Sequence, residues 1–230
     1  GPSYGLWPTG VDAAGTRIAL GATDTRYEVQ VSTAPGFVQP IHEFNNFCGS
    51  CGGVWLEHPS ATPTTDSAAL THPAFVRTAA ATSRRFDWRT NFTLPAGIPA
   101  AGVSLSYTVG WDDQALLANG TNGTQCNHAV WINGTPVSAT VSGTNPYATT
   151  CVSTIPAGSF SAGANTVEWR IWNGSTYYGF RLRNPVFTVT IPVPTITTPA
   201  AGSTTTDTTP DITGTCIVGG TVTVGQGAST

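Results

Sequence analysis

The sequence predicts an all-β protein, an antiparallel two-sheet sandwich followed by a short second β segment, on three observations. Several stretches alternate apolar and polar residues with period two, the mark of strands packed on one side. The chain carries 26 Gly and 17 Pro, distributed as turns between short strands. And no stretch keeps a helical period: the nearest, "DSAALTHPAFVRTAAATS" at 66–83, is interrupted by Pro73.

The strands follow in order. In "FDWRTNFTL", Phe86, Trp88, Thr90, Phe92 and Leu94 share one face, and Asp87, Arg89 and Asn91 the other, together with Arg85 just before the stretch. In "VSLSYTVGW" the odd positions Val103, Leu105, Tyr107, Val109 and Trp111 are apolar. In "AVWINGTPV", Val130 and Ile132 face inward and Trp131 outward. In "NTVEWRIWN", Val167, Trp169 and Ile171 face inward; Glu168, Arg170 and Trp172 face outward. Between Tyr177 and Ile191 the inner set changes parity, from Phe180 and Leu182 to Phe187, Val189 and Ile191. A one-residue slip turns every side chain over, so a bulge is expected at Asn184-Pro185. Beyond "IPVPTITTP" the composition shifts to Thr, Gly and Pro with almost no aromatics, which predicts a head over 1–191 and a second unit over 192–230.

Two resemblances sharpen this. "WRTNFTLPAGIPAAGVSLSYTVGWDDQ", "AVWINGTPV" and "FSAGANTVEWRIWNGSTYYGFRLRNPVFTVT" are similar to the jelly-roll, galactose-binding-like modules of bacterial surface adhesins and to carbohydrate-binding modules. That resemblance implies a jelly-roll sandwich, often a glycan binder and sometimes one with a structural Ca2+. The loop after Asp113 is longer than in those modules, and "HEFNNFCGSCGGVWLEHP" at 42–59 has no counterpart in them. "TPDITGTC" at 209–216 and the following "GGTVTV" resemble the opening strands of bacterial immunoglobulin-like repeats, which implies a partial stalk repeat.

Composition narrows the function classes. Charged residues make up 9% of the chain, net charge is −3, and all nine basic residues are Arg. That leaves no basic footprint for nucleic acid. No apolar run reaches the roughly 20 residues of a membrane helix. "GPSYG" at 1–5 reads as the start of an excised fragment, with Gly1-Pro2 left by tag cleavage. Its formal G-x-S-x-G lacks the strand and helix a nucleophile elbow requires. Glycoside hydrolysis needs two carboxylates across a sugar, but of Glu28, Glu43, Glu57 and Glu168 the last reads as an outward cross-strand partner. The expectation is that the chain is not an enzyme.

Five Cys point to an oxidising, extracellular setting, secreted or at a cell surface. Of the three pairings open to the four head cysteines, Cys48–Cys51 and Cys126–Cys151 are preferred. A zinc site on "CGSC" would want a second pair of ligands, and no second CxxC is present. Cys216 stands alone in the tail, with a disulfide partner outside the sequence or a free thiol as its alternatives.

"VGWDDQALLANGTNGTQCNHAVWINGT" at 109–135 carries the candidate site. Trp111 points inward by parity, so Asp112 emerges on the other face, and two adjacent carboxylates need Arg, a cation or solvent nearby. Asp112 and Asp113, with the amides of Gln114, Asn119 and Asn122, are the oxygen donors Ca2+ prefers. A solvated or Arg-paired loop is the plainer alternative. Glycan recognition asks for an aromatic ring to stack on the sugar and a few fixed polar groups for its hydroxyls. The candidate ligand-binding residues are Asp112, Asp113, Gln114, Asn119, Asn127, His128, Trp131, Trp172, Tyr177, Tyr178 and Arg181. Arg181 and Arg183 share one face and could engage an acidic sugar, with solvated rungs or partners for Asp87 as the plainer alternative. The predicted function is the ligand-binding head of an adhesin, with a glycan or other cell-surface ligand as partner. The rivals are a structural or oligomerisation cap of a fibre and an accessory carbohydrate-binding module of a secreted glycosidase.

Overall fold

The structure is a computed structural model that describes residues 4–12, 14–16, 18–19, 21–44, 68–72, 83–144, 146, 151–174, 179–191, 193, 195–200, 202–204, 206–207, 209 and 211–215. Fifteen strands are formed among them: β1 (Tyr27–Val31), β2 (Ala34–Val38), β3 (Ile41–Phe44), β4 (Ala68–Thr71), β5 (Arg84–Leu94), β6 (Val103–Asp112), β7 (Gln114–Ala115), β8 (Ala129–Ile132), β9 (Thr135–Ser138), β10 (Thr140–Ser142), β11 (Cys151–Ile155), β12 (Gly163–Asn173), β13 (Gly179–Val189), β14 (Thr195–Thr198) and β15 (Thr213–Thr215). All pairings are antiparallel. The first sheet runs β2-β1-β5-β12-β8-β9, with β7 also on the β12 edge; the second runs β10-β11-β6-β13-β4-β3.

The two sheets face each other across one aromatic core, the sandwich the alternation predicts. From the first sheet come Trp88 on β5 and Trp169 on β12, both fully buried. Phe180 on β13 meets them, stacked on Trp88 at 5.6 Å and tilted on Trp169 at 5.0 Å. Every predicted inward residue of β5, β6, β8 and β12 is buried. The spine is the β5–β12 pair, in unbroken register from Arg84↔Asn173 to Leu94↔Gly163.

The parity change in β13 is a bulge: register shifts between Arg183 and Val186, and Asn184 takes φ +48°. Phe187 and Val189 follow inward as predicted, but the strand ends at Val189 and Ile191 is 55% exposed, so it does not belong to the inner set. Residues 4–9, where the alternation predicts no strand, run from one sheet to the other. Thr93 N–H of β5 donates to Tyr4 O, Thr9 N–H donates to Leu182 O of β13, and Leu6 between them is buried. In the tail, β14 and β15 pair with each other, and all their residues are exposed.

Cys126 and Cys151 form a disulfide that joins the approach to β8, in the first sheet, to β11 in the second. The two cysteines are 25 residues apart in the chain. Replacing both by Ser should lower the unfolding free energy by about 3 kcal/mol, the loop-closure entropy returned to the unfolded chain. A denaturant titration of the oxidised protein beside the variant measures it. Cys48, Cys51 and Cys216 lie outside the described residues.

Candidate functional site

The Asn- and Gly-rich loop is built as an extension of the first sheet. β7 pairs with the end of β12, Ile171 opposite Ala115 and Trp172 opposite Gln114. The chain then turns and returns: Leu117 N–H donates to Thr121 O, Leu116 bridges Asn122, and Gly123 N–H donates to Ala115 O. Gly123 is required, because a Cβ there would collide with the carbonyl oxygens of Asn127 and Ala115. Side-chain amides hold the turn. Asn119 Oδ1 accepts from Thr121 N–H at 3.0 Å and Thr121 Oγ1 at 2.7 Å, and Asn122 Nδ2 donates to Gln114 Oε1 at 2.8 Å. The last bond fixes the Gln114 amide with its own N–H2 group turned away from Asn122.

Asp113 closes the hairpin against the end of β12. Its Oδ2 accepts from Gly174 N–H at 2.7 Å, next to the Trp172 indole. Thus Asp113, Gln114 and Asn119 each spend a carbonyl or carboxylate oxygen on a local bond. Among the described residues no three His, Cys, Asp or Glu side chains gather as a metal cluster would. The side chain of Asp112 lies outside the described part, as do Tyr177 and Tyr178.

The remaining candidates separate by burial. Trp172 is half-buried, packed against Leu116, Ala129 and Trp131 on the outer face of the first sheet. Asn127 is exposed. Trp131 points outward as predicted, yet it is buried, with the Arg170 guanidinium lying 4.1 Å from its ring centroid. That guanidinium is held by Glu168 at 2.6 Å, so Trp131 is covered by its own neighbours and offers no stacking face. Arg181 is 2% exposed and is corrected from a sugar contact to a buried group of the second sheet. His128 is likewise corrected, for it is buried in the core rather than displayed on the loop.

The bonds of His128 explain its place. Its Nδ1 lies 2.9 Å from Cys126 O, which only accepts, so Nδ1 carries the proton. Nε2 then accepts from Tyr107 O–H at 2.9 Å, and Tyr107 Oη accepts from Trp169 Nε1–H at 3.4 Å. This chain of bonds satisfies three buried polar groups and requires a neutral imidazole. Burial, opposed by the Cys126 carbonyl, pulls the His128 pKa down to about 4.

Around Trp172 the outer face is charged, in a chain that has few charges. Glu28 pairs with Arg89 at 2.6 Å, and Arg85 Nε lies 2.7 Å from Asp87 Oδ1. Gln30 Nε2 donates to Asp87 Oδ2 at 2.9 Å, and Asp87 is only 1% exposed. Register sets Arg85 of β5 beside Trp172 of β12, with Gln114 of β7 on its other side. Arg85, Trp172 and Gln114 therefore form one row across three strands. Sequence reading placed Arg85 on the outer face but missed its neighbourhood with Trp172, since only the β5–β12 register supplies it.

No family model matches this chain, and no curated protein matches it. Among solved structures it is similar to the GH31 alpha-xylosidase from Xanthomonas citri, at 12% identity and a TM-score of 0.31. The match covers 81% of this chain and 16% of the xylosidase, a likeness too low to carry an argument.

Proposed function

We propose that this chain is the ligand-binding head of a secreted or cell-surface adhesin, with a glycan as its ligand. The observation that carries the reading is the half-buried Trp172, standing on a solvent-facing sheet between Arg85 and the anchored amide of Gln114. An indole of this kind offers a flat apolar face to the C–H side of a pyranose, and the amides and Asp113 at its rim suit hydroxyl groups. Recognition on a rigid sheet extension, rather than on a free loop, keeps the ordering cost of binding low. The inter-sheet disulfide agrees with an oxidising compartment. The jelly-roll winding of residues 1–191 and the immunoglobulin-like stalk from 192 belong to the same proposal, with the β14–β15 pair as support for the stalk.

A glycan array, run with calcium and again with EDTA, tests the reading beside Trp172→Ala and Asp113→Ala. Saccharide binding should weaken by about tenfold or more in Trp172→Ala, since an indole face covered by a sugar contributes on the order of 1.4 kcal/mol. Loss in EDTA as well would assign a bridging cation to the Asp113 end. Binding that survives Trp172→Ala, or no binding at all, would sink this site.

A further inference from the structure

Resting on the glycan reading of the Trp172 row, we infer that the ligand is an acidic saccharide and that Arg85 receives its carboxylate. The argument starts from the hydrogen-bonding capacity of a guanidinium. Arg carries five N–H donors in a planar fork. Asp87 occupies one edge of this fork: Oδ1 faces Nε at 2.7 Å and Oδ2 accepts from Nη2 at 3.0 Å. Nη1 makes no hydrogen bond to a described residue, so the opposite edge of the fork keeps its donors for a ligand.

Asp87 makes this edge rigid. It is itself buried and tied to Gln30, so it cannot swing out to follow a mobile arginine. The Arg85 side chain remains 36% exposed, with its outer edge open to solvent. A guanidinium fixed in this way loses little side-chain freedom when it meets a carboxylate, and its planar donors match the two carboxylate oxygens. The neighbour on β12 is Trp172, and directly opposed side chains on paired strands stand about 5 Å apart at Cβ. The two side chains therefore leave neighbouring positions on one face, within the reach of a single bound oligosaccharide.

Two further described arginines of this face are committed elsewhere. Arg170 lies over Trp131 and pairs with Glu168; Arg89 lies 3.5 Å from the Phe37 ring centroid and pairs with Glu28. Charge also orients the ligand. Asp113 sits at the Gln114 end of the row, so a uronate carboxylate is repelled there and drawn to the Arg85 end. An acidic-sugar contact was expected at Arg181; the structure buries that residue and leaves Arg85 in the position to make it.

The test titrates the intact chain with trigalacturonate and with its methyl ester, the same oligomer without its charges, and with sialyllactose against lactose. At low salt an acid should bind at least about tenfold more tightly than its neutral counterpart, with the difference shrinking as salt rises. Arg85→Gln should erase the preference, and Trp172→Ala should weaken acid and neutral forms together. Arg85→Lys keeps a charge beside Asp87 and guards against misfolding of the Gln variant; it should retain only part of the preference, because the fork is lost. Equal binding of acid and neutral forms overturns the inference while leaving the glycan reading intact. A preference that survives Arg85→Gln in a folded protein also overturns it. Binding of none of the four overturns it too, and the array then decides separately whether any neutral glycan is held at Trp172.

Discussion

Trp169→Ala is expected to cost about 3–5 kcal/mol of unfolding free energy, the largest effect of any single truncation considered. Trp169 is fully buried at the centre of the sandwich, 5.0 Å from the Phe180 ring and edge-on to Tyr107 at 5.7 Å. Its removal leaves a cavity between two sheets whose backbones are held apart by other side chains. It also takes a donor from Tyr107 Oη, inside a network that His128 shares. Against the 5–15 kcal/mol by which domains are stable, that loss is large. Guanidinium titrations of the purified variant measure it, with Trp172→Ala as the matched control. Trp172 is the same residue type on the outer face, and its truncation should cost about 1 kcal/mol, with m unchanged in both. Equal losses would mean that the sheets do not meet through Trp169.

The second large effect is in pH. In the unfolded chain His128 should titrate near the ordinary value of 6.5, whereas the folded chain holds its pKa at about 4. Between these two values the unfolded state binds a proton that the folded state refuses. Stability therefore rises with pH across this window. Read downward, the contribution is whole above pH 6.5, declines as the pH falls, and is gone by about pH 4. The span is worth about 3 kcal/mol. Burial lowers the pKa of His72 as well, so part of the slope belongs to that residue. His128→Gln isolates the share of His128: a Gln side chain can donate to Cys126 O and accept from Tyr107 without titrating. The variant should show a flatter profile between pH 6.5 and 4, by about that amount. A profile parallel to that of the parent protein would remove His128 as the cause.

Much of the fold was legible in the sequence because strand faces are a local property. Successive Cβ atoms alternate sides whatever the partner strand. Hence the inward sets of β5, β6, β8 and β12 followed from residue type alone, and so did the bulge at Asn184-Pro185, where the parity of Phe180 and Leu182 gives way to that of Phe187. The disulfide was legible only in part. Cysteine spacing preferred Cys126–Cys151 among three pairings, and the structure brings those two within 5.3 Å at Cα.

The candidate site was less legible, and the corrected residues share one reason. Parity says which side of a sheet a residue leaves from; it does not say what lies above it. Trp131 leaves the outer face as expected, yet Arg170, two residues beyond its cross-strand partner Glu168, covers it. Arg181 likewise leaves opposite Phe180 and Leu182 but is buried. His128 lies in a stretch with no alternation to read, and its burial depends on Tyr107 and Trp169, which come from two different sheets. Arg85 was visible as an outward charge, while its place beside Trp172 required the register of two strands whose paired residues lie 87 positions apart in the chain (172 − 85).

What the sequence determined by itself was therefore the fold class, the inner and outer faces of the long strands, and the residue types available for recognition. Those follow from the short-range geometry of an L-peptide strand and from the transfer of apolar side chains out of water. What only the tertiary structure decided was which outward residues stay open, which are covered, and which stand side by side. Strand order and register set those outcomes through hydrogen bonds between segments distant in the chain, and no local pattern of residues encodes them.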